Sequence, residues 1–160
     1  MVERSIELCR SAGALRIELT AKQVWVDLLW KSGARADARR ESRELADEAA
    51  RRRLRQTVSL VELQGAEWAA NERDWSDTRA RRDAAAAWGA RSGAMAEQVW
   101  LAIFDVLLAL VSGDVDAAEK AVSALELIRR GYNDESIGKL LTDAAEMAPT
   151  PLSDRLRKLT

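Results

Sequence analysis

Two aspartates stand where chemistry could be done. Asp27 interrupts the apolar run VWVDLLW, and Asp105 interrupts LAIFDVLLAL. A lone carboxylate in such a setting can accept a hydrogen bond in a groove or transfer a proton, but far more often it turns to water or pairs with an arginine. The rest of an active site is missing from the sequence. There is no histidine, hence no imidazole base, no Ser–His pair and no His-bearing metal motif. Cys9 is the only cysteine, too few for a Cys-only zinc site or an intrachain disulfide and in keeping with a reducing compartment. The eight glycines form neither a dinucleotide-binding fingerprint nor a P-loop. The sequence therefore reads as a non-enzyme with no metal and no cofactor.

Aromatic and basic residues offer recognition instead. Six tryptophans stand against one tyrosine and one phenylalanine. Trp25, Trp68, Trp88 and Trp100 fall on apolar helical stripes and read as core, whereas Trp30 and Trp75 lie nearer helix ends and read as exposed. The runs RRRLR at 51–55 and RARR at 79–82 are the densest basic stretches. The first reads as a solvated helix terminus, where arginines meet the negative pole of the helix. A net charge of −1 gives the whole molecule no long-range pull on nucleic acid or acidic lipid.

The elements that must position these residues are helices. The two prolines both lie near the end, and Ala, Leu, Glu and Arg abound. Periodicity predicts helices over 2–11, 14–31, 34–55, 57–72, 76–91, 94–111, 115–130 and 134–147, the last capped by Asn133, then a short one in LSDRLRKL. Their expected buried stripes include Ile17, Ala21, Val24 and Leu28 in the second, Ala38, Leu45, Ala46 and Ala49 in the third, and Val58, Val61, Gly65 and Trp68 in the fourth. Ala80, Ala84 and Trp88 follow in the fifth, Ala118, Val122 and Leu125 in the seventh, and Ile137, Leu140, Leu141 and Ala144 in the eighth. The apolar run Val99 to Val111 is shorter than the roughly 20 residues that span a bilayer, and reads as a buried helix. The N-terminal MVERSIELCR is too charged for a signal peptide. The expectation is one cytoplasmic domain with no membrane contact.

Three segments share a register. SGARADARRE begins at 32, ERDWSDTRAR at 72 and SGDVDAAEKA at 112, so that Gly33, Arg73 and Gly113 fall forty residues apart, as do Ala38, Thr78 and Ala118. Each unit is an apolar helix, a tight turn and a more charged, alanine-rich helix. One such hairpin cannot hide its own apolar face, but hairpins in a row can. The expected fold is all-α, a stack of antiparallel helical hairpins with units at 14–53, 54–93 and 94–131. Residues 1–13 form a preceding helix, and 132–160 a capping helix and tail.

At the turn, the pattern Gly-Asp-aromatic-acid-x-Ala resembles a tetratricopeptide repeat in its forty-residue form, as in the sensor regions of MalT-like, LuxR-type bacterial regulators. SGDVDAAEKAVSALEL is the closest unit, and the likeness covers about 14–130. It departs where the family prefers a small residue, at Val26, Ala66 and Val106, of which only Ala66 conforms. By the same likeness, 1–13 is similar to the closing helix of a preceding unit, and the tail to a truncated fourth. The resemblance implies a concave groove that holds a peptide or a helix. Carried over by register, the groove takes Gln23, Asp27, Trp30 and Lys31 from unit one, Leu63, Glu67, Ala70 and Asn71 from unit two, and Trp100, Ile103, Leu107 and Leu110 from unit three. The wholly apolar third set requires cover, from helix 134–147 or from a second copy.

The resulting reading is a non-catalytic module that binds a protein or peptide, with Trp30 as anchor and Asp27, Lys31, Glu67 and Asn71 fixing polar register. Two alternatives stand beside it. TPLSDRLRKL resembles a recognition helix of winged regulators, which would offer Thr150, Ser153, Arg155, Arg157 and Lys158 to DNA. A self-assembling structural subunit is the other.

Overall fold

The computed structural model describes residues 2–11, 13–89, 94–128 and 135–160. Among them are helices α1 (Val2–Ser11), α2 (Leu15–Lys31), α3 (Arg35–Arg51), α4 (Arg55–Asn71), α5 (Trp75–Gly89), α6 (Met95–Ser112), α7 (Val115–Ile128), α8 (Glu135–Met147) and α9 (Thr150–Arg157). The fold is all-α. The helices pair in sequence as antiparallel hairpins, α2 with α3, α4 with α5, α6 with α7 and α8 with α9, and successive hairpins stack. Within the stack α3 packs on α4 and α5 on α6, while α4, α6 and α8 also meet one another directly. Leading helices start at 15, 55, 95 and 135, and trailing helices α3, α5 and α7 start at 35, 75 and 115.

The turns explain this spacing. Gly13, Gly33, Arg53, Arg73 and Gly113 all have positive φ, between 57° and 88°, and they lie on one twenty-residue grid. At each, the residue itself donates its N–H three residues back and its successor donates five back, as in Gly33 N to Trp30 O at 3.1 Å and Ala34 N to Leu29 O at 3.0 Å. This is the Schellman arrangement, which satisfies the last carbonyls of a helix and turns the chain sharply. Asp74 and Asp114 then cap the next helix, accepting from the backbone N–H of Asp77 at 3.1 Å and of Ala117 at 2.9 Å. At Ala34 and Leu54 no side chain caps.

Ala38, Thr78 and Ala118, forty apart, are each fully buried. Thr78 fits because its hydroxyl donates to the Asp74 carbonyl at 2.8 Å. The largest core cluster gathers residues of α4 to α9 around Phe104, Ile103 and Leu107. Two smaller clusters hold the first hairpin to α4, one of Leu19, Leu45, Ala46 and Val61, the other of Val26, Ala38 and Trp68. Helix α6 is apolar and long enough by length and composition to cross a membrane, but half of it is buried within this core.

Several expected boundaries and faces need correction. The third helix stops at Arg51, not 55, because Arg53 takes the left-handed conformation without a glycine to announce it. On α5, Ala80 is exposed, and Thr78, Ala85 and Gly89 are buried instead. Residues 132–160 are more than a cap and tail: α8 and α9 form a fourth hairpin, with α9 packed on both α7 and α8. Asn133, the expected cap, lies outside the described residues. The largest correction concerns α2. Ile17, Val24 and Leu28, expected in the core, are 62%, 49% and 45% exposed, while Glu18, Leu19 and Val26 point inward.

A left-handed conformation costs a side-chain-bearing residue about 1–2 kcal/mol, partly offset by the extra unfolded-state freedom of glycine. Arg73→Gly or Arg53→Gly should therefore stabilise by roughly 0.5–1 kcal/mol in urea titration, and Gly113→Ala should destabilise by about 1 kcal/mol.

Candidate partner-binding surface

The exposed sides of the leading helices are where the predicted groove residues were placed. On α2, Gln23, Asp27 and Lys31 fall at four-residue steps along one side. Asp27 accepts from Lys31 Nζ at 2.7 Å, so this interrupting carboxylate is ion-paired along its own helix. On α4, Asn71 donates from Nδ2 to the Glu67 carbonyl at 3.0 Å and accepts from Lys139 Nζ of α8 at 2.6 Å. Gln23, Asp27, Glu67 and Asn71 are half-buried, and Lys31 is exposed. A cleft of about 380 Å³ opens between α2 and α4, lined by Thr20, Gln23, Arg55, Gln56, Thr57 and Leu60 among others. Thr20 and Leu60 stand eighty and forty residues before Trp100 in the same register. The expected groove set began at Gln23 and Leu63 and so missed both.

Trp30 is not a free anchor. Its ring stacks on Trp68 with centroids 4.3 Å apart and planes 4° from parallel. The guanidinium groups of Arg35 and Arg39 lie over it at 5.2 and 5.8 Å, and both arginines also bind the Glu72 carboxylate at the end of α4. Trp30 is thus a joint between the first two hairpins. Leu63, Ile103 and Leu107 are buried in the main cluster and cannot face a partner. Ala70 is buried and Leu110 half-buried against the same cluster. Trp100 is half-buried and lies 5.7 Å from Phe104. The cover expected for this apolar third set comes from α8, whose Ile137, Leu140 and Leu141 share the cluster. Trp75, expected to be exposed, is half-buried against the same core.

The other interrupting aspartate is also paired. Asp105 accepts from Arg82 Nη2 at 2.8 Å, and Arg82 Nε lies 2.8 Å from its second oxygen. This pair edges an open cavity of about 550 Å³ between α5, α6 and α7, with Arg79, Lys120 and Asp114 around the rim. In the same basic run, Arg81 binds Asp77 at 2.9 Å and lies 3.3 Å from Glu62. Burial pushes the Glu62 carboxyl above its ordinary range despite that arginine. Among the described residues no group of three His, Cys, Asp or Glu side chains is placed to hold a metal.

The tail is engaged internally. Ser153 is buried and donates to the Ala145 carbonyl at 2.7 Å. Arg155 grips both oxygens of Glu126 at 2.9 and 2.8 Å and also reaches Ser123, tying α9 to α7. Ser153 is thus turned inward and Arg155 is half-buried in its ion pair, while Thr150, Arg157 and Lys158 are exposed on α9 and at its end. Compared with known proteins, the chain matches no family model, no curated protein and no solved structure.

Two consequences can be measured. Trp30→Ala should cost about 2 kcal/mol of stability, from lost stacking and burial, before any effect on binding. The Arg155 guanidinium, by hydrogen bonding, holds the Glu126 carboxyl below its ordinary 4.5. A lowered carboxyl pKa stabilises the fold above the unfolded-state value, and that contribution is lost as pH falls through the folded value. Glu126→Gln should thus be less stable than the natural chain at about pH 7, with the gap in urea midpoint closing as pH falls through the lowered folded-state value.

Proposed function

We propose that this protein is a non-catalytic interaction module, of the tetratricopeptide kind that its register resembles, acting in the cytoplasm. It takes a peptide or a helix along the side of α2 and α4. The observation that carries this reading is the contrast between the two ends of the leading-helix surface. On α6 the groove positions are apolar and lie under α8. On α2, and at Glu67 of α4, they are polar, and Gln23 edges an open cleft between the two helices. A strip carrying Gln23, Asp27, Lys31, Glu67 and Arg55 suits an extended or helical segment bearing both apolar and charged groups. Half-buried polar groups beside Leu60 can fix its register. Trp30 supports the strip from beneath by joining α2 to α4. The single cysteine suits a reducing compartment.

The test compares co-purification from native lysate by the natural chain and by a Gln23→Lys, Asp27→Lys double variant, with circular dichroism confirming equal helix content. A partner retained by the natural chain should be lost or weakened about tenfold or more with the variant. Equal capture by both would contradict the assignment of this strip.

A further inference from the structure

The forty-residue step shows why the cavity between α5, α6 and α7 is hollow. The same positions one step earlier belong to α3, α4 and α5, and there a large side chain occupies the space. Arg81 lies across Gly65, so close that a Cβ at 65 would stand 2.9 Å from its Cδ, and Asp77 and Glu62 hold it in place. Forty residues on, Asp105 stands for Gly65, while Ala121 and Ala117 stand for Arg81 and Asp77. Leu108 likewise replaces the ring of Trp68. These four residues line the cavity, whose volume of about 550 Å³ lies in the range of small-molecule sites.

The charges change over the same step. Arg39 of α3 binds Glu72 at the end of α4. Its counterpart Arg79 has Ser112 at the matching place, and that hydroxyl donates to the Ala109 carbonyl at 2.9 Å. Lys120, on α7, stands where the earlier unit has Ala80 and adds a second cation to the lining. Three carboxylates also border the cavity, but each is engaged. Asp83 and Asp105 both bind Arg82, and Asp114 accepts from the Ala117 N–H. Among the described residues neither Arg79 nor Lys120 has a hydrogen-bond or ion-pair partner, and both are exposed. The uncommitted groups of this cavity are therefore cationic donors above an apolar floor.

We propose that this cavity binds a small organic anion. Its carboxylate or phosphate group bridges Arg79 and Lys120, as the Glu72 carboxylate bridges Arg35 and Arg39 one step earlier. Its apolar body rests on Leu108, Ala109, Ala117 and Ala121, in the space that Arg81 takes up in the preceding unit. Hydrogen bonds from charged donors to an anion are among the stronger ones a partly open site can offer. An anion held between α5 and α7 also ties the second hairpin to the third. The cavity shares no lining residue with the cleft between α2 and α4, so its use is independent of the strip proposed for a peptide or helix.

Phenyl phosphate and phenylacetate are the probes, titrated into the full chain and followed by amide chemical shifts, with inorganic phosphate and benzyl alcohol supplying head and body alone. At least one of the aryl anions should bind saturably, with shifts centred on Arg79, Ser112 and Lys120, and each control should bind about tenfold or more weakly. An Arg79→Gln, Lys120→Gln double variant, shown to be folded by circular dichroism, should lose about tenfold or more of that affinity. So should Ser112→Glu, which gives Arg79 the acid that Arg39 has in Glu72. Arg43→Gln, at an exposed cation of α3 outside the cavity, should bind as the natural chain does. Absence of saturable binding by both aryl anions below about 10 mM, or equal binding by the double variant and the natural chain, would overturn the proposal. Inorganic phosphate binding as tightly as phenyl phosphate would overturn it too, since the apolar floor would then select nothing.

Discussion

A helical hairpin carries more apolar surface than its two helices can hide from each other, and in this protein each hairpin depends on the next to cover the excess. A leading helix inside the stack, such as α4, has one stripe turned back toward the hairpin before it and another turned forward. Val61 and Trp68 look back, and Ala66 looks forward. This double commitment fixes the fold more firmly than any single contact. It requires the helices to recur at a fixed distance along the chain, and the left-handed residues at 13, 33, 53, 73 and 113 keep that distance.

The two ends of the stack meet the same constraint differently. At the C-terminal end α9 packs on α8, and exposed Lys139 of α8 reaches back to Asn71 of α4. At the N-terminal end α1 covers only part of α2, held there by a carboxylate shared between cations. Burial opposes the charge on Glu18, but hydrogen bonds from Lys22 and Arg10, 3.2 and 3.1 Å away, outweigh it and keep the carboxyl ionised below its ordinary range. The core is correspondingly uneven, broad across α4 to α9 and reduced to two small clusters around α2 and α3.

Much of this was legible in the residues. Ala38 and Ala118 were expected on the inward faces of their helices, and both are fully buried. Asp27 was assigned to the groove, and both it and Asp105 hold the basic partner that such interrupting carboxylates most often find. What failed has a common physical source. Periodicity reports that a helix has an apolar stripe, but not whether a neighbour exists to cover it, so Ile17, Val24 and Leu28 were placed inside. Register likewise assigns a groove position without saying what another helix does there, and Ile103, Leu107 and Leu63 vanished into the core. Trp30 looked like an anchor because it lies near a helix end, yet the ring it needs, Trp68, is thirty-eight residues away in sequence. Arg53 carries no signal at all for the conformation it adopts, since only its neighbours' hydrogen bonds make that conformation worthwhile.

If neighbour cover is what stabilises each hairpin, resistance to opening must rise from the uncovered end toward the doubly covered middle. Amide hydrogen exchange followed by mass spectrometry reads this directly, helix by helix. The amides of α6, buried between hairpins on both sides, should exchange only through unfolding of the whole chain, while those of α1 and α2 exchange earlier through local opening. Protection in α2 equal to that in α6, or loss of α6 protection before α2, would show that something other than stacked hairpins holds the protein together.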